Sequence, residues 1–112
     1  MSHAEYVERE LESALDTARQ AIRSGKDLLL AACHLNGILH ALPELEKKVQ
    51  RTDRLFIAGV SSECDGLPLG AERQNWAPES LRERDLLAQS YEQRIRKDML
   101  SALARIADDL SK

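Results

Sequence analysis

At 112 residues the chain has room for one domain, spanning residues 1–112, with a modest core. Apolar residues make up 43% and charged residues 31%, which describes a globular protein and excludes a disordered one; only 4% are aromatic, so Leu, Ala, Ile and Val must build the core, a mix that favours helices over sheets. A net charge of −3 with both signs interspersed removes the electrostatic case for nucleic acid or an anionic membrane, and no apolar run reaches the ~20 residues that span a bilayer.

The start, Met1-Ser2-His3-Ala4-Glu5, lacks the basic and apolar stretches of a signal peptide. Cys33 and Cys64 stand in no metal or redox spacing, which suggests free thiols in a reducing compartment and a cytoplasmic chain. Ser2-His3-Ala4-Glu5 reads as a capping box that opens the first helix. Val7, Leu11, Ala14, Ala18, Ile22, Gly25, Leu29, Ala32, Asn36 and Leu39 then follow at steps of three and four. Ser24-Gly25 offers a stop, with Ser24 or Asp27 as the next cap. The periodicity passes through Gly25, however, and favours a continuous or gently kinked helix over 3–41. Such a helix would be ~58 Å long, more than a compact monomer can accommodate, and so points to an elongated hairpin or a dimer.

Leu28-Leu29-Leu30-Ala31-Ala32-Cys33 is apolar all round and is expected to be the most buried stretch. Cys33, Gly37 and Ala41 lie four apart and would let another helix approach closely; Asn36 on the core stripe reads as a register or oligomer-state device. Pro43 suits the first turn of a new helix with Leu42, Leu45, Val49, Thr52 and Phe56 as its stripe and Gly59 as its stop. The basic residues from Lys47 to Arg54 on that helix read first as a solvated face and second as a site for an acidic partner. After a loop over about 60–77, Pro78 opens a last helix running to Leu110. Its stripe is Leu81, Ala88, Tyr91, Ile95, Met99, Leu103, Ile106 and Leu110, with Leu87 and Leu100 beside it.

Catalytic and metal patterns are weak. Cys33, His34 and His40 do not share a helix face, and no Glu-x-x-His, His-x-x-x-His or Cys-x-x-Cys occurs, so no metal or cofactor is expected. Ser61, Ser62 and Cys64 lack a nucleophile motif, and Gly66 and Gly70 lack the Lys-Ser or Lys-Thr of a phosphate loop. The loop itself is the distinctive feature. Leu67-Pro68-Leu69 should tuck against the helices, Arg73 should pair with Glu63 or Asp65, and Trp76 should plug the helix start or anchor a partner.

Ser62-Glu63-Cys64-Asp65-Gly66-Leu67-Pro68-Leu69-Gly70, followed by Arg73 and Trp76-Ala77-Pro78-Glu79, resembles a loop of small uncharacterised bacterial proteins. In them a Ser-Glu-x-Asp-x-Leu-Pro-x-Gly pattern precedes a Trp and a long helix. The likeness covers about a fifth of the chain and implies a shared fold, with Glu63, Asp65, Arg73 and Trp76 acting as a unit and no activity assigned.

The expectation is therefore an all-α protein of three to four helices, a long-helix antiparallel bundle with one ordered loop, completed by dimerisation. Its expected function is that of a non-catalytic interaction or regulatory protein, an adaptor or immunity-type binder, with itself and another protein as partners. The alternative is an enzyme or small-ligand binder built around Glu63, Asp65 and Arg73. Nucleic-acid regulation through the Lys47 to Arg54 face comes last, because the chain is acidic.

Overall fold

The computed structural model describes residues 2–112 and is all-α, with no strand among those residues. The helices are α1 (His3–Ser24), α2 (Leu28–Ala41), the short α3 (Pro43–Glu46), α4 (Arg51–Glu63) and α5 (Pro78–Leu110). A 3-10 turn over Gly70–Asn75 lies in the loop before α5.

Pairwise contacts between the helices set their directions. His3 meets Glu44 and Ser13 meets His34, so α1 and α2 run antiparallel. Cys33 shares a cleft with Ser61 and Cys64, while His40 shares one with Arg54, so α4 turns back along α2. Asp53 binds Arg105 and Gly25 binds Arg96, which sets α5 antiparallel to α4 and α1. The result is an up-down-up-down bundle in which α1, α2, α4 and α5 are neighbours in a ring.

The capping box forms on the side of the Glu5 amide only. The Glu5 amide donates to Ser2 Oγ at 3.2 Å, and the Ser2 hydroxyl in turn meets the Glu5 carboxylate. The continuous helix expected across Gly25 is not found. Gly25 adopts φ 66° and ends α1 in a left-handed cap, its amide donating to the Ala21 carbonyl. Asp27 sits at the cap position of α2 with φ 54° but makes no side-chain cap. The capping groups come from α5 instead. Glu92 Oε1 accepts from the Leu28 amide at 2.8 Å, and Arg96 Nη1 donates to the Gly25 carbonyl at 2.8 Å. Glu92 and Arg96 are one helical turn apart, so a single face of α5 satisfies both ends of the break. Each such bond contributes about 1 kcal/mol.

Most of the expected stripe is buried or half-buried, but Ala21 and Leu35 take the core places expected of Ile22 and Asn36. Ala14, Ala18 and Ala21 are buried in α1 while Ile22 is exposed; α2 then buries Leu28, Leu29, Ala31, Ala32, Leu35, Ile38 and Leu39. As expected, this apolar helix lies deepest: it touches α1, α3, α4 and α5. Gly37 and Ala41 are exposed, so no helix of this chain uses that small-residue seam.

The single helix expected after Pro43 is also divided. A turn over residues 47–50 separates α3 from α4, and α4 passes through Gly59 to Glu63. Leu45 and Val49 keep their buried places, but beyond the turn the buried positions become Asp53, Ile57, Val60 and Cys64 in place of Thr52 and Phe56. The turn thus rotates the helix so that Ile57 and Val60 face the core and α4 can lie along α2.

The last helix has the predicted bounds. Its 33 residues reach about 50 Å. Met99, Ala102, Leu103, Ile106 and Leu110 are buried, all in the second half, whereas no residue of the first half is. The first half therefore runs on past the core, against the start of α2 and the loop. The bundle core closes within one chain, and the overhang accounts for a radius of gyration of 14.6 Å with extents of 45 × 32 × 23 Å. No helix among the described residues is long and apolar enough to cross a membrane.

Candidate functional site

Helix α4 runs farther than its glycine suggested, so the connecting loop contracts to residues 64–77 and Glu63 becomes the last residue of a helix. Glu63 and Asp65 are both exposed. Gly66, at φ 83°, reverses the chain, and Leu67 and Pro68 are then buried with Leu69 half-buried. The Leu-Pro-Leu segment tucks in as expected. Its apolar side chains hold the polar ends of the loop at the surface.

Arg73 does not pair with Glu63 or Asp65. Its guanidinium forks onto Asp85 of α5, with Nη1 at 2.5 Å from Oδ1 and Nη2 at 3.0 Å from Oδ2. Nη1 also donates to the Pro68 carbonyl at 3.3 Å. One side chain thus ties the buried Leu-Pro-Leu segment, the 3-10 turn and α5 together. Trp76 ends that turn, its amide donating to the Arg73 carbonyl at 3.1 Å, and is half-buried at the start of α5.

Two clefts flank the loop. One, of about 390 Å³, holds Asp65 together with Cys33, Ser61, Cys64 and Leu67. The other, of about 290 Å³, holds Arg73 and Asp85 together with Asp27, Gln89 and Glu92. Leu30 and Leu69 line both and form the ridge between them. Asp65 and Arg73 therefore open onto adjacent clefts, and the Arg73 fork is already filled by Asp85. A larger cleft, about 430 Å³, lies instead between α1 and α2 and includes Thr17, Gln20, Lys26 and His34.

Two pairings were not apparent from the sequence. Cys33 and Cys64, from α2 and the end of α4, meet in the first cleft. Burial pushes the Cys64 thiol up to about 12, and the neighbouring Cys33 thiol adds to that, so Cys64 is held protonated and is a poor nucleophile. Ser13 and His34 also meet, with Oγ 3.0 Å from Nε2. That distance suits a nucleophile and base, but both residues lie within helices, where backbone amides are already committed to helical carbonyls and are not free to receive an oxyanion. No group of three or more metal-ligating side chains occurs among the described residues.

The Arg73–Asp85 tether carries a pH signature. The hydrogen-bonded Arg73 fork holds the Asp85 carboxyl below its ordinary value, and Asp85 holds the Arg73 guanidinium above its own. A carboxyl lowered in the folded chain stabilises fully above its unfolded value, about 3.9, and ceases to do so as pH falls through the lower folded value. Trp76 is the only tryptophan and adjoins the tethered turn, so its emission reports this change. Its spectrum is expected to hold steady from neutral pH down to about pH 4 and to shift below it. Asp85→Asn is expected to give the shifted spectrum already at neutral pH; an unchanged spectrum in that variant would show that the tether does not order the turn.

No protein-family model matches this chain, and neither a curated protein nor a solved structure matches it.

Proposed function

We propose that this chain is a non-catalytic interaction protein, a small bacterial cytoplasmic binder or regulator of the adaptor or immunity kind, that pairs with itself and engages a protein partner. The observation that carries the reading is the overhanging first half of α5. It exposes Leu86 at 62% and Leu87 at 55%, side by side, beside a loop that Arg73 fixes to the same helix. Adjacent exposed leucines on a rigid element form a contiguous apolar patch, and such patches mark contact surfaces. The half-buried Trp76 at the start of this helix offers a large aromatic anchor of the type that dominates interfaces.

The small-ligand alternative gains less support. Arg73 would have to release Asp85 before it could take an anionic ligand, and Asp65 opens onto a different cleft. The test is a pull-down of the tagged chain from its native host beside a Trp76→Ala, Arg73→Ala double variant shown to be folded by circular dichroism. A stoichiometric protein captured by the unmodified chain and lost with the variant supports the reading. Capture of nothing beyond the chain itself, with a metabolite retained on the purified protein, would overturn it in favour of a ligand site under the loop.

A further inference from the structure

Residues Glu79, Glu83, Leu86, Ser90, Arg94 and Lys97 recur at steps of four and three along α5, with Leu87 on the shoulder of the row. That spacing keeps the row on one face of the helix, with Leu86 and Leu87 as its apolar members. All seven side chains are exposed. They lie opposite Leu81, Asp85, Ala88, Tyr91 and Ile95, which are half-buried against the rest of the molecule. The row is polarised as well: two acids at its N-terminal end, leucines near the middle, two bases at its C-terminal end.

We infer that this face docks a second copy of the same chain, through an antiparallel two-fold pairing centred between Leu86 and Leu87. This rests on the self-association proposed above and names its surface and geometry. A two-fold axis at that point sets Leu86 against Leu87 of the partner subunit and Glu79 against Arg94 of the partner subunit. That gives one acid–base contact, made twice by symmetry, while Glu83 faces Ser90 of the partner subunit. The parallel arrangement would set acid on acid and base on base, so the charges select the antiparallel one. The bundles themselves project from opposite sides of the paired helices, because each packs on the face of α5 opposite the row. The row is about 27 Å long and one helix wide, smaller than the roughly 800 Å² per partner of a standard interface. The dimer therefore belongs to the weak, concentration-dependent class.

Analytical ultracentrifugation of the full chain from about 10 µM to about 1 mM tests the inference. The unmodified chain is expected to pass from monomer to dimer over that range, and Leu86→Glu with Leu87→Glu to remain monomeric. Arg94→Glu is expected to weaken the dimer about tenfold, and the added Glu79→Arg to restore it, since the swap rebuilds both contacts with the charges reversed. Helical circular dichroism is expected to be unchanged in every variant, with melting lowered slightly where Arg94 leaves the Tyr91 ring or Glu79 leaves the first turn of α5. A dimer indifferent to the leucine pair would overturn this surface while leaving self-association standing. A dimer lost with the leucines but not restored by the charge swap would overturn the antiparallel register. A chain that stays monomeric throughout would overturn both the surface and the self-pairing.

Discussion

Leu35→Ala is expected to lower the unfolding free energy by about 3–4 kcal/mol and the melting temperature by roughly 15 °C. Leu35 is fully buried in the middle of α2, which packs on α1, α3, α4 and α5. Truncation there removes three buried carbons and leaves a cavity. The core cannot easily collapse into it, because its other enclosed side chains, among them Leu45, Ile57 and Met99, are held on three other helices. Since small domains have only about 5–15 kcal/mol in total, one such change takes a large part of the margin. Leu55→Ala is the control. Leu55 is 58% exposed on α4 and is expected to change stability by no more than about 0.5 kcal/mol. Chemical denaturation of the two variants checks the ordering, and equal losses would mean that α2 is not the centre of the core.

The second large effect concerns Asp53 and Arg105. Among the described residues Asp53 is the one charged residue buried in the core, 2% exposed, in the first turn of α4. Arg105 of α5 covers it with three hydrogen bonds between 2.9 and 3.1 Å while remaining half-exposed itself. Asp53 also raises the Arg105 guanidinium above its ordinary value, chiefly through the hydrogen bonds. The pair is therefore asymmetric. Arg105→Ala strands a carboxylate among apolar groups, and leaving those buried oxygens unsatisfied costs on the order of 2 kcal/mol. Asp53→Ala instead leaves a guanidinium that can swing into water. The expected order of stability is wild type, then Asp53→Ala, then Arg105→Ala. The double variant should be more stable than Arg105→Ala alone, because no charge is then left stranded. A double-mutant cycle by urea denaturation gives all four values. A double variant no better than Arg105→Ala would mean that water already reaches Asp53.

Helix α5 was readable from its start at Pro78 to its end at Leu110 because a proline, an acidic first turn and an unbroken stripe all agree there. The break at Gly25 was legible only as an alternative and the one over 47–50 not at all, for different reasons. At Gly25 the apolar spacing stays in step across the gap, and the groups that stabilise the break, Glu92 and Arg96, lie more than sixty residues away. Over 47–50 there is no glycine or proline to mark a turn, and the one-residue rotation appears only once Asp53 and Ile57 face inward. At the loop, the sequence singled out Arg73 but not its partner. Asp85 falls on the apolar stripe between Leu81 and Ala88, which marks it as facing the molecule, but that spacing does not name Arg73 as the group it meets. The meeting of Cys33 with Cys64 depends on how α2 and α4 cross, which spacing along the chain does not encode.

The Glu92 and Arg96 caps have a consequence for the order in which the molecule assembles. During synthesis, α1, α2 and α4 are complete while the residues that fasten the α1–α2 corner are still unmade. The same is true of Met99, Leu103 and Ile106, which fill the middle of the core. Until α5 arrives, the corner has no partner for the Leu28 amide or the Gly25 carbonyl, and the apolar sides of three helices stay open to water. Docking of the last helix therefore closes the core and secures the first corner in one event. Productive folding thus waits on the C-terminal third of the chain, which makes the nascent N-terminal segment the stage most exposed to aggregation and chaperone capture.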